Sequence, residues 1–425
     1  MKKCLIIGGG LAGLSAAVFL ADKGIKVELL EASPKLGGRA YSLKDKNTSD
    51  TIDNGQHILM GCYKDTLDFI KTIHAEDNFL FQKQLEVNFI KEDFKLFKLK
   101  SKNIIYPVNL ILAVLNYKAI SLFERFSLLK FFAKLYFYSE KFLNKLTVHQ
   151  WLLLEKQSEN IIQSFWGILA VGALNTNIKK ASAKVFSDIL KKMFFRGSKA
   201  STIILPKLGL SESFCINSKK YIEEKEGKIS LPEQVNEFVI SGKKIILIKT
   251  NKREIADFDY VVSAVPYFIL KNIKGSDQIN LNDIDFIYST IISIHVWLKE
   301  NNLEDDFYGL INSKIHWVFK HKSHLTVVIS DANDLAELPV EELFEIAALQ
   351  LFNYLKIPKD NISSYKIIKE KKATFIPAND ILNKRPGPET NVKNFIIAGD
   401  WVNTGLPSTI ESAVRSGKLA AELII

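Results

Sequence analysis

The sequence predicts an α/β fold: a parallel-sheet domain assembled from discontinuous segments, with a mixed-sheet domain and a helical cap inserted into it. Three observations carry this. The chain opens on a strand, a glycine-rich turn, a helix and a second strand, read from apolar spacing over residues 3–7, 11–23 and 25–30. Two later apolar runs, 259–265 and 395–398, read as further buried strands, and a helical pattern from about Thr409 to Ile425 follows the second. Between them lie an alternating stretch, 79–100, and a long aromatic helical stretch, 106–154, which belong to other units.

With 425 residues the chain suits two or three units at roughly 150 residues each. Its 47% hydrophobic and 24% charged residues exclude a disordered chain, and its length excludes a small disulfide scaffold. Cys4, Cys62 and Cys215 form no C-x-x-C pair; they exclude a zinc ribbon and fit a reducing, cytoplasmic setting. The formal charge of +10 comes from 57 basic and 47 acidic residues, yet only six of the basic ones are Arg. Without a compact Arg or Lys–aromatic array, nucleic acid is not an expected partner. Weak attraction to the anionic inner face of a membrane is compatible with the charge. Met1-Lys2-Lys3 and the uncharged run from Cys4 to Ala21 imitate a secretory leader, but four glycines interrupt the run, so no leader is expected. No segment reaches the ~20 apolar residues of a membrane span.

The first turn reads Gly8-Gly9-Gly10-Leu11-Ala12-Gly13, a G-x-G-x-x-G in the strand-to-helix position of a Rossmann-like dinucleotide site. Gly8 permits the tight turn, Gly10 lets backbone approach a pyrophosphate, and Gly13 lets helix and strand pack closely. The helix start at Leu11 and Ala12 presents free N–H groups to the phosphates. Glu31-Ala32 ends the second strand, Glu31 standing 18 positions after Gly13, where a carboxylate holds an adenosine ribose and repels a 2′-phosphate. Pro34-Lys35-Leu36-Gly37-Gly38-Arg39 adds a second glycine pair for backbone contact and a cation for phosphates. Asp53-Asn54-Gly55-Gln56-His57 then sets a polar cluster ahead of an apolar run. Near the end, Ala398-Gly399-Asp400 closes a buried strand. Ser408-Thr409-Ile410-Glu411 has the spacing of a capping box, on a helix whose positive end would face a bound ring.

Gly37-Gly38-Arg39 behind the ribose carboxylate resembles flavoproteins of the amine oxidase and phytoene desaturase superfamily, and nicotinamide dehydrogenases usually lack it. Glu370 to Phe375, Arg385-Pro386 and the segment AGDWVNTGLPSTIESAVRSG at 398–417 also carry the resemblance, and Asp53 to His57 with Gly399-Asp400-Trp401 through Pro407 narrow it to the hydroxysqualene dehydroxylase family. The resemblance implies FAD and an FAD-binding Rossmann-like domain from residues 1–75, 206–275 and 385–425. A substrate-binding sheet domain would take 76–105 and 276–384, and a helical cap 106–205. It further implies adenine beside the backbone of Val235, and the ribityl or phosphate side of FAD at Gly399 and Asp400. The flavin's carbonyl edge would lie at Thr409 and Ile410. A strand near Val261–Val265 would close the FAD-domain sheet. Lys372 stands where the family leads one to expect Arg.

The turn at 205–210 opens a helix with Ser211 as a plausible N-cap. Across 106–154, Phe123, Phe126, Phe131, Phe132, Tyr136 and Phe137 are interspersed with lysines in an amphipathic pattern. The plain reading is a cap that buries its aromatics in its own core. The sharper one adds a hydrocarbon channel and a membrane-resting face, and the pattern fits both. His295, His316, His321 and His324 lack ligand spacing backed by carboxylates, so no metal is expected.

The resemblance implies reductive dehydroxylation of hydroxysqualene to squalene, as in bacterial squalene and hopanoid biosynthesis. Hydride would pass from reduced flavin N5 to an allylic cation, with an unidentified electron donor and an isoprenoid held in a dry tunnel. The expected proton donor is His57 oriented by Asp53, with Asp53, Tyr63 and Glu411 as alternatives. The same fold and cofactor would also serve a phytoene desaturase working oxidatively, or an amine oxidase, for whose aromatic cage Trp401 is one candidate. From another class, a non-catalytic flavoprotein could present isoprenoid to a membrane partner.

Overall fold

In the computed structural model, which describes residues 2–92, 94–281 and 283–425, the opening run folds as β1 (Lys3–Ile7), α1 (Leu11–Asp22) and β2 (Lys26–Leu30). Met1, the first residue of the leader-like run, lies outside the described residues. β1 pairs in parallel with β2 on one side and with strand Tyr260–Ser263 on the other. Strand Lys228–Ser230 extends the sheet beyond β2, and Phe395–Ile397 extends it beyond Tyr260–Ser263, all in parallel. Layers cover both faces of such a sheet, which is why its strands read as apolar runs without alternation. Leu14, Ala16, Ala17, Val18 and Leu20 of α1 are fully buried beneath it. Each large apolar side chain contributes about 1.5–3 kcal/mol by leaving water. The strand at Tyr260–Ser263 does not close the sheet as the resemblance implied; it lies inside, and Phe395–Ile397 takes the edge.

Two helix starts differ from the spacing. The last helix, Ile410–Glu422, is capped by Thr409, whose hydroxyl accepts the Ser412 N–H at 3.1 Å. Ser408, one position earlier, donates to the Asp400 carboxylate instead. Glu411 turns away from its own helix start and accepts the N–H groups of Asp65 and Thr66 at 3.1 and 2.9 Å, capping α2 (Lys64–Thr72) from outside. Ser211 is not a cap either: its helix starts from Leu210, and Ser211 and Ser42 exchange hydrogen bonds at 2.9 Å in both directions. In each case another partner takes the expected cap, Asp400 for Ser408 and Ser42 for Ser211.

The second sheet has seven strands, in the order Ile362–Phe375, Tyr288–Leu298, Leu325–Ile329, Trp317–Lys320, Phe307–Leu310, Glu86–Ile90 and Leu96–Lys100. It is mixed, because Phe307–Leu310 and Glu86–Ile90 run parallel while the remaining pairs are antiparallel. Strand Phe79–Phe81 pairs with Ile203–Pro206 and stays out of this sheet. One face packs on helix Val340–Leu355 through Leu343, Ala347 and Leu351. The other, with Val87, Phe89, Phe319 and Val328, faces the helices of the cap. There Phe131 is buried with its ring centroid 4.7 Å from both Trp151 and Trp166. Phe123 and Phe137 are 85% and 86% exposed, so the cap buries only part of its aromatic run. Among the described residues no helix is long and apolar enough to cross a membrane.

Candidate active site

α1 begins at Gly10, which has no side-chain cap, and Gly10, Leu11 and Ala12 line a large cavity. The first-turn N–H groups of a helix have no partners within it, so this start can receive an anion. At Gly10 an added Cβ would meet no protein atom nearer than the Gly38 Cα at 3.8 Å. Packing alone does not demand glycine there; the open space suits a ligand lying on the backbone. Gly13 is different. It stands outside the cavity, and a Cβ on it would fall 1.9 Å from the Gly8 carbonyl oxygen, so its task is helix–strand contact. Glu31 is held by two backbone donors, Gly9 N–H at 2.6 Å and Ser33 N–H at 2.7 Å. Gly8, Ala32, Gly37, Gly38 and Val235 line the same cavity.

Arg39 donates to Asp400 Oδ1 at 2.5 Å and to the Ala373 carbonyl at 2.6 Å. Burial pushes the Asp400 carboxyl upward, but the charge and hydrogen bond of Arg39, with help from Ser408, outweigh burial and hold it below the usual carboxylate value. The loop beyond Asp400 hangs on Arg385, a buried guanidinium. It donates to the carbonyls of Trp401 at 3.1 Å, Leu406 at 2.7 Å and Asp400 at 2.9 Å, and to that of Val402. Burial lowers its pKa to about 10. Gly399, Asp400, Thr409 and Ile410 all line the cavity.

His57 lines the cavity too, with Nδ1 2.9 Å from the Gly55 carbonyl. A carbonyl only accepts, so Nδ1 carries the proton and, in the neutral ring, Nε2 is left as an acceptor. Burial first, and the charge of Arg39 after it, lower the His57 pKa. The structure does not bring Asp53 to His57. The Asp53 carboxylate accepts Ser42 Oγ–H at 2.7 Å and Leu210 N–H at 2.9 Å, away from the cavity, and burial raises its pKa to about 6. Its backbone carbonyl meets His295 Nε2 at 3.1 Å. The ring of His57 is therefore oriented by Gly55.

Two groups, Glu370 and Asn175, escaped the local motifs, and Gln56 stands out within one of them. Glu370 lines the cavity and accepts Asn54 Nδ2 at 3.0 Å across 316 positions. Gln56 Oε1 is buried without a hydrogen-bond partner among the described residues. Asn175 holds Thr374 Oγ1 at 2.9 Å and accepts Asp331 N–H at 2.8 Å, joining the cap to the second sheet. Glu370 belongs to a segment that carried the family resemblance, as does Gln56, but no spacing marked Glu370 or Asn175 as part of a site.

The cavity occupies about 1170 Å³, beyond the about 300–1,000 Å³ of most small-molecule sites. From the glycine turn it runs past His57 into a chamber whose walls include Val87, Phe89, Phe165, Leu169, Trp317 and Phe319. These come from the inner face of the second sheet and the cap helices. One continuous space thus joins a nucleotide-type phosphate cradle to an apolar compartment. Among the described residues no group of three or more His, Cys, Asp or Glu is placed to hold a metal ion.

The family model for flavin-containing amine oxidoreductases matches residues 11–425. The chain belongs to this family. It is an FAD-dependent oxidoreductase, and the open cradle at Gly10 and the pre-set Glu31 carboxylate fit that cofactor. Hydroxysqualene dehydroxylase from Zymomonas mobilis is 29% identical, over 99% of this chain and 98% of its own length. The protein of that name from Rhodopseudomonas palustris is 26% identical over 100% of this chain and 98% of its own. The crystal structure of an oxidoreductase from Methanosarcina mazei superposes with a TM-score of 0.73 at 16% identity, covering 99% of this chain and 100% of that one. At that identity the superposition speaks for the fold alone.

Proposed function

We propose that this flavoenzyme removes the hydroxyl of hydroxysqualene to give squalene. The observation that carries the reading is the continuous cavity, polar at the glycine turn and His57 and apolar beyond. It accompanies relatives named for that reaction along the whole chain. In this reading Gly10, Leu11 and Ala12 receive the FAD pyrophosphate, with Gly37, Gly38 and Arg39 alongside. Glu31 takes the adenosine ribose, and Val235 lies beside the adenine. Asp400, Thr409 and Ile410 attend the ribityl and flavin end. FAD, when bound and reduced, supplies a hydride.

The protein's part is to make an allylic cation and keep water from it. The carbon–oxygen bond breaks with its electron pair going to oxygen, and the departing oxygen takes a proton to leave as water. His57 is our candidate donor, through Nε2, when its ring is protonated. Its lowered pKa makes the imidazolium scarce near neutral pH but a stronger acid. Phe89, Phe165, Leu169 and Trp317 supply the dry wall along which a long isoprenoid is held while hydride arrives at carbon. A reductant outside this chain restores the flavin. The exposed Phe123 and Phe137, with nearby lysines, give a face for peripheral contact with a lipid bilayer. Phe123→Ser with Phe137→Ser should lower co-sedimentation with vesicles, and unchanged sedimentation would remove the membrane from this account. Reaction of the reduced holoenzyme with hydroxysqualene, followed by lipid extraction, tests the function itself. Squalene is the expected product, and recovery of unchanged hydroxysqualene would overturn it.

A further inference from the structure

The rim of the cavity carries positive charge that the dehydroxylation does not use. Lys192 lies in the last turn of helix Ala183–Phe194, and Arg196 lies just past its end. Both line the cavity, as does Arg415 from the last helix. Arg196 is exposed and Lys192 half-buried, which places them where the cavity meets solvent. The carboxylates around them are already engaged. Asp188 takes Lys184 at 2.5 Å, and Asp65 takes Lys418 at 2.9 Å and Arg415 only at 3.9 Å. Glu411 is occupied by Asp65 and Thr66 as the cap of α2. That leaves Lys192 with a single long contact, Nζ to the Gly405 carbonyl at 3.5 Å. Arg196 makes neither hydrogen bond nor ion pair among the described residues. Burial, and then the nearness of Arg415, with Arg196 adding to it, depress the Lys192 ammonium and outweigh the opposing charge of Asp188, as expected for cations crowded into a half-dry rim.

A group of cations only partly neutralised, beside an apolar wall, fits an amphiphile with an anionic head. Met193, Phe194 and Leu406 line the cavity next to the rim, and Leu169 belongs to the chamber behind them. We propose that Lys192, Arg196 and Arg415 form a phosphate-binding rim for a phosphate-headed hydrocarbon, the head staying at the rim and the tail following Phe194 and Leu406 inward. A guanidinium and an ammonium together suit this task, the first as a planar fork and the second as a point charge. A free prenyl diphosphate and a phospholipid headgroup share that chemistry. The proposal does not depend on the direction in which the flavin works.

The test uses the FAD-loaded enzyme and the double variant Lys192→Gln/Arg196→Gln, with flavin content and thermal midpoint checking the fold. Inorganic pyrophosphate and farnesyl diphosphate are titrated calorimetrically, and co-sedimentation is measured with phosphatidylglycerol and with phosphatidylcholine vesicles. The wild type should bind farnesyl diphosphate more tightly than pyrophosphate, because the tail is buried. Its affinity should weaken as salt rises. The double variant should lose at least tenfold. A loss on farnesyl diphosphate assigns the rim to free prenyl diphosphates; a loss on phosphatidylglycerol vesicles alone assigns it to lipid headgroups. Equal behaviour of wild type and variant toward all four probes, or salt-independent binding by the wild type, would overturn the proposal.

Discussion

The Arg39 guanidinium donates to the Asp400 carboxylate at 2.5 Å, joining residues 361 positions apart. Arg39 belongs to the glycine-pair segment after β2, and Asp400 to the exit of the last strand. The part of the cavity proposed above for the flavin end of the cofactor is therefore complete only when the end of the chain has docked on its beginning. Asp400 is buried, whereas the Arg39 side chain is 37% exposed to the cavity. Removing Arg39 would leave a buried carboxylate with only Ser408 and the more distant Arg385. Arg39→Met should cost about 1–3 kcal/mol, the range for an unsatisfied buried group, discounted for the exposure of Arg39. FAD affinity should fall at least tenfold. Denaturant unfolding with flavin release measures both, and wild-type values for both would refute the role given to this pair.

Gly10 and Gly13 should behave oppositely although only Leu11 and Ala12 separate them. Gly10→Ala has room in the protein, with Gly38 Cα the nearest atom at 3.8 Å, so the chain should fold and melt near the wild-type temperature without cofactor. Its FAD affinity should drop tenfold or more, because the added methyl occupies the cradle. Gly13→Ala, with the Gly8 oxygen 1.9 Å from the new Cβ, should fail to accumulate as folded protein. Flavin content per folded chain distinguishes the two, and tight FAD binding by Gly10→Ala would show that nothing lies on that backbone.

The pH dependence of turnover tests His57. Its pKa is lowered below the ordinary imidazole value, so the acid form needed to protonate the leaving hydroxyl gains population only as pH falls below about 6.5. Maximal turnover under saturating substrate should therefore rise on acidification and level off. In His57→Gln that rise should disappear while flavin stays bound. A full-strength acid limb in the variant would assign the proton to another group.

Stability should show a separate acid limit. His295, on strand Tyr288–Leu298, clusters with His321 and His324 of the turn before strand Leu325–Ile329. His295 and His324 are buried and His321 half-buried, and His321 stacks on His324 at a centroid distance of 4.5 Å. Burial lowers their pKa values to about 4, 3 and 4. A histidine depressed in the folded state binds its proton more readily when unfolded, so stability is complete above about pH 6.5 and is lost as pH falls toward 3–4. The slope approaches about 1.4 kcal/mol per pH unit for each histidine within that window. Thermal midpoints from pH 7 to 4 should fall steeply in the wild type and less steeply in His321→Phe. A flat profile would contradict burial of the cluster.

The opening of the chain was legible locally: strand, turn, helix and second strand form where the apolar spacing put them. G-x-G-x-x-G between a strand and a helix, with a carboxylate at the end of the next strand, is a pattern contained within some thirty residues. In the structure those residues form the strand, turn and helix of the pattern, and the Glu31 carboxylate accepts the Gly9 N–H at 2.6 Å. What depends on distant partners was not legible. Asp53 looked like the natural partner of His57, four positions away, but Leu210 claims its carboxylate from 157 positions off. Ser408 and Thr409 are equally good caps on paper; the choice falls to Thr409 because Asp400 takes the Ser408 hydroxyl. The aromatic run of the cap shows an amphipathic period, but periodicity does not say what covers each face. Only packing separates the buried Phe131 from the exposed Phe123.

The direction of electron flow is tested most directly by an anaerobic titration of the reduced holoenzyme, following the visible flavin band and the extracted lipid together. Hydroxysqualene should restore the oxidised band and yield one squalene per flavin reoxidised. In deuterated water, where the transferable hydrogen of the reduced flavin exchanges, the squalene should carry a single carbon-bound deuterium. If the band stays reduced with hydroxysqualene intact, and phytoene bleaches the oxidised enzyme instead, the enzyme removes hydride from its isoprenoid and the dehydroxylase account is wrong.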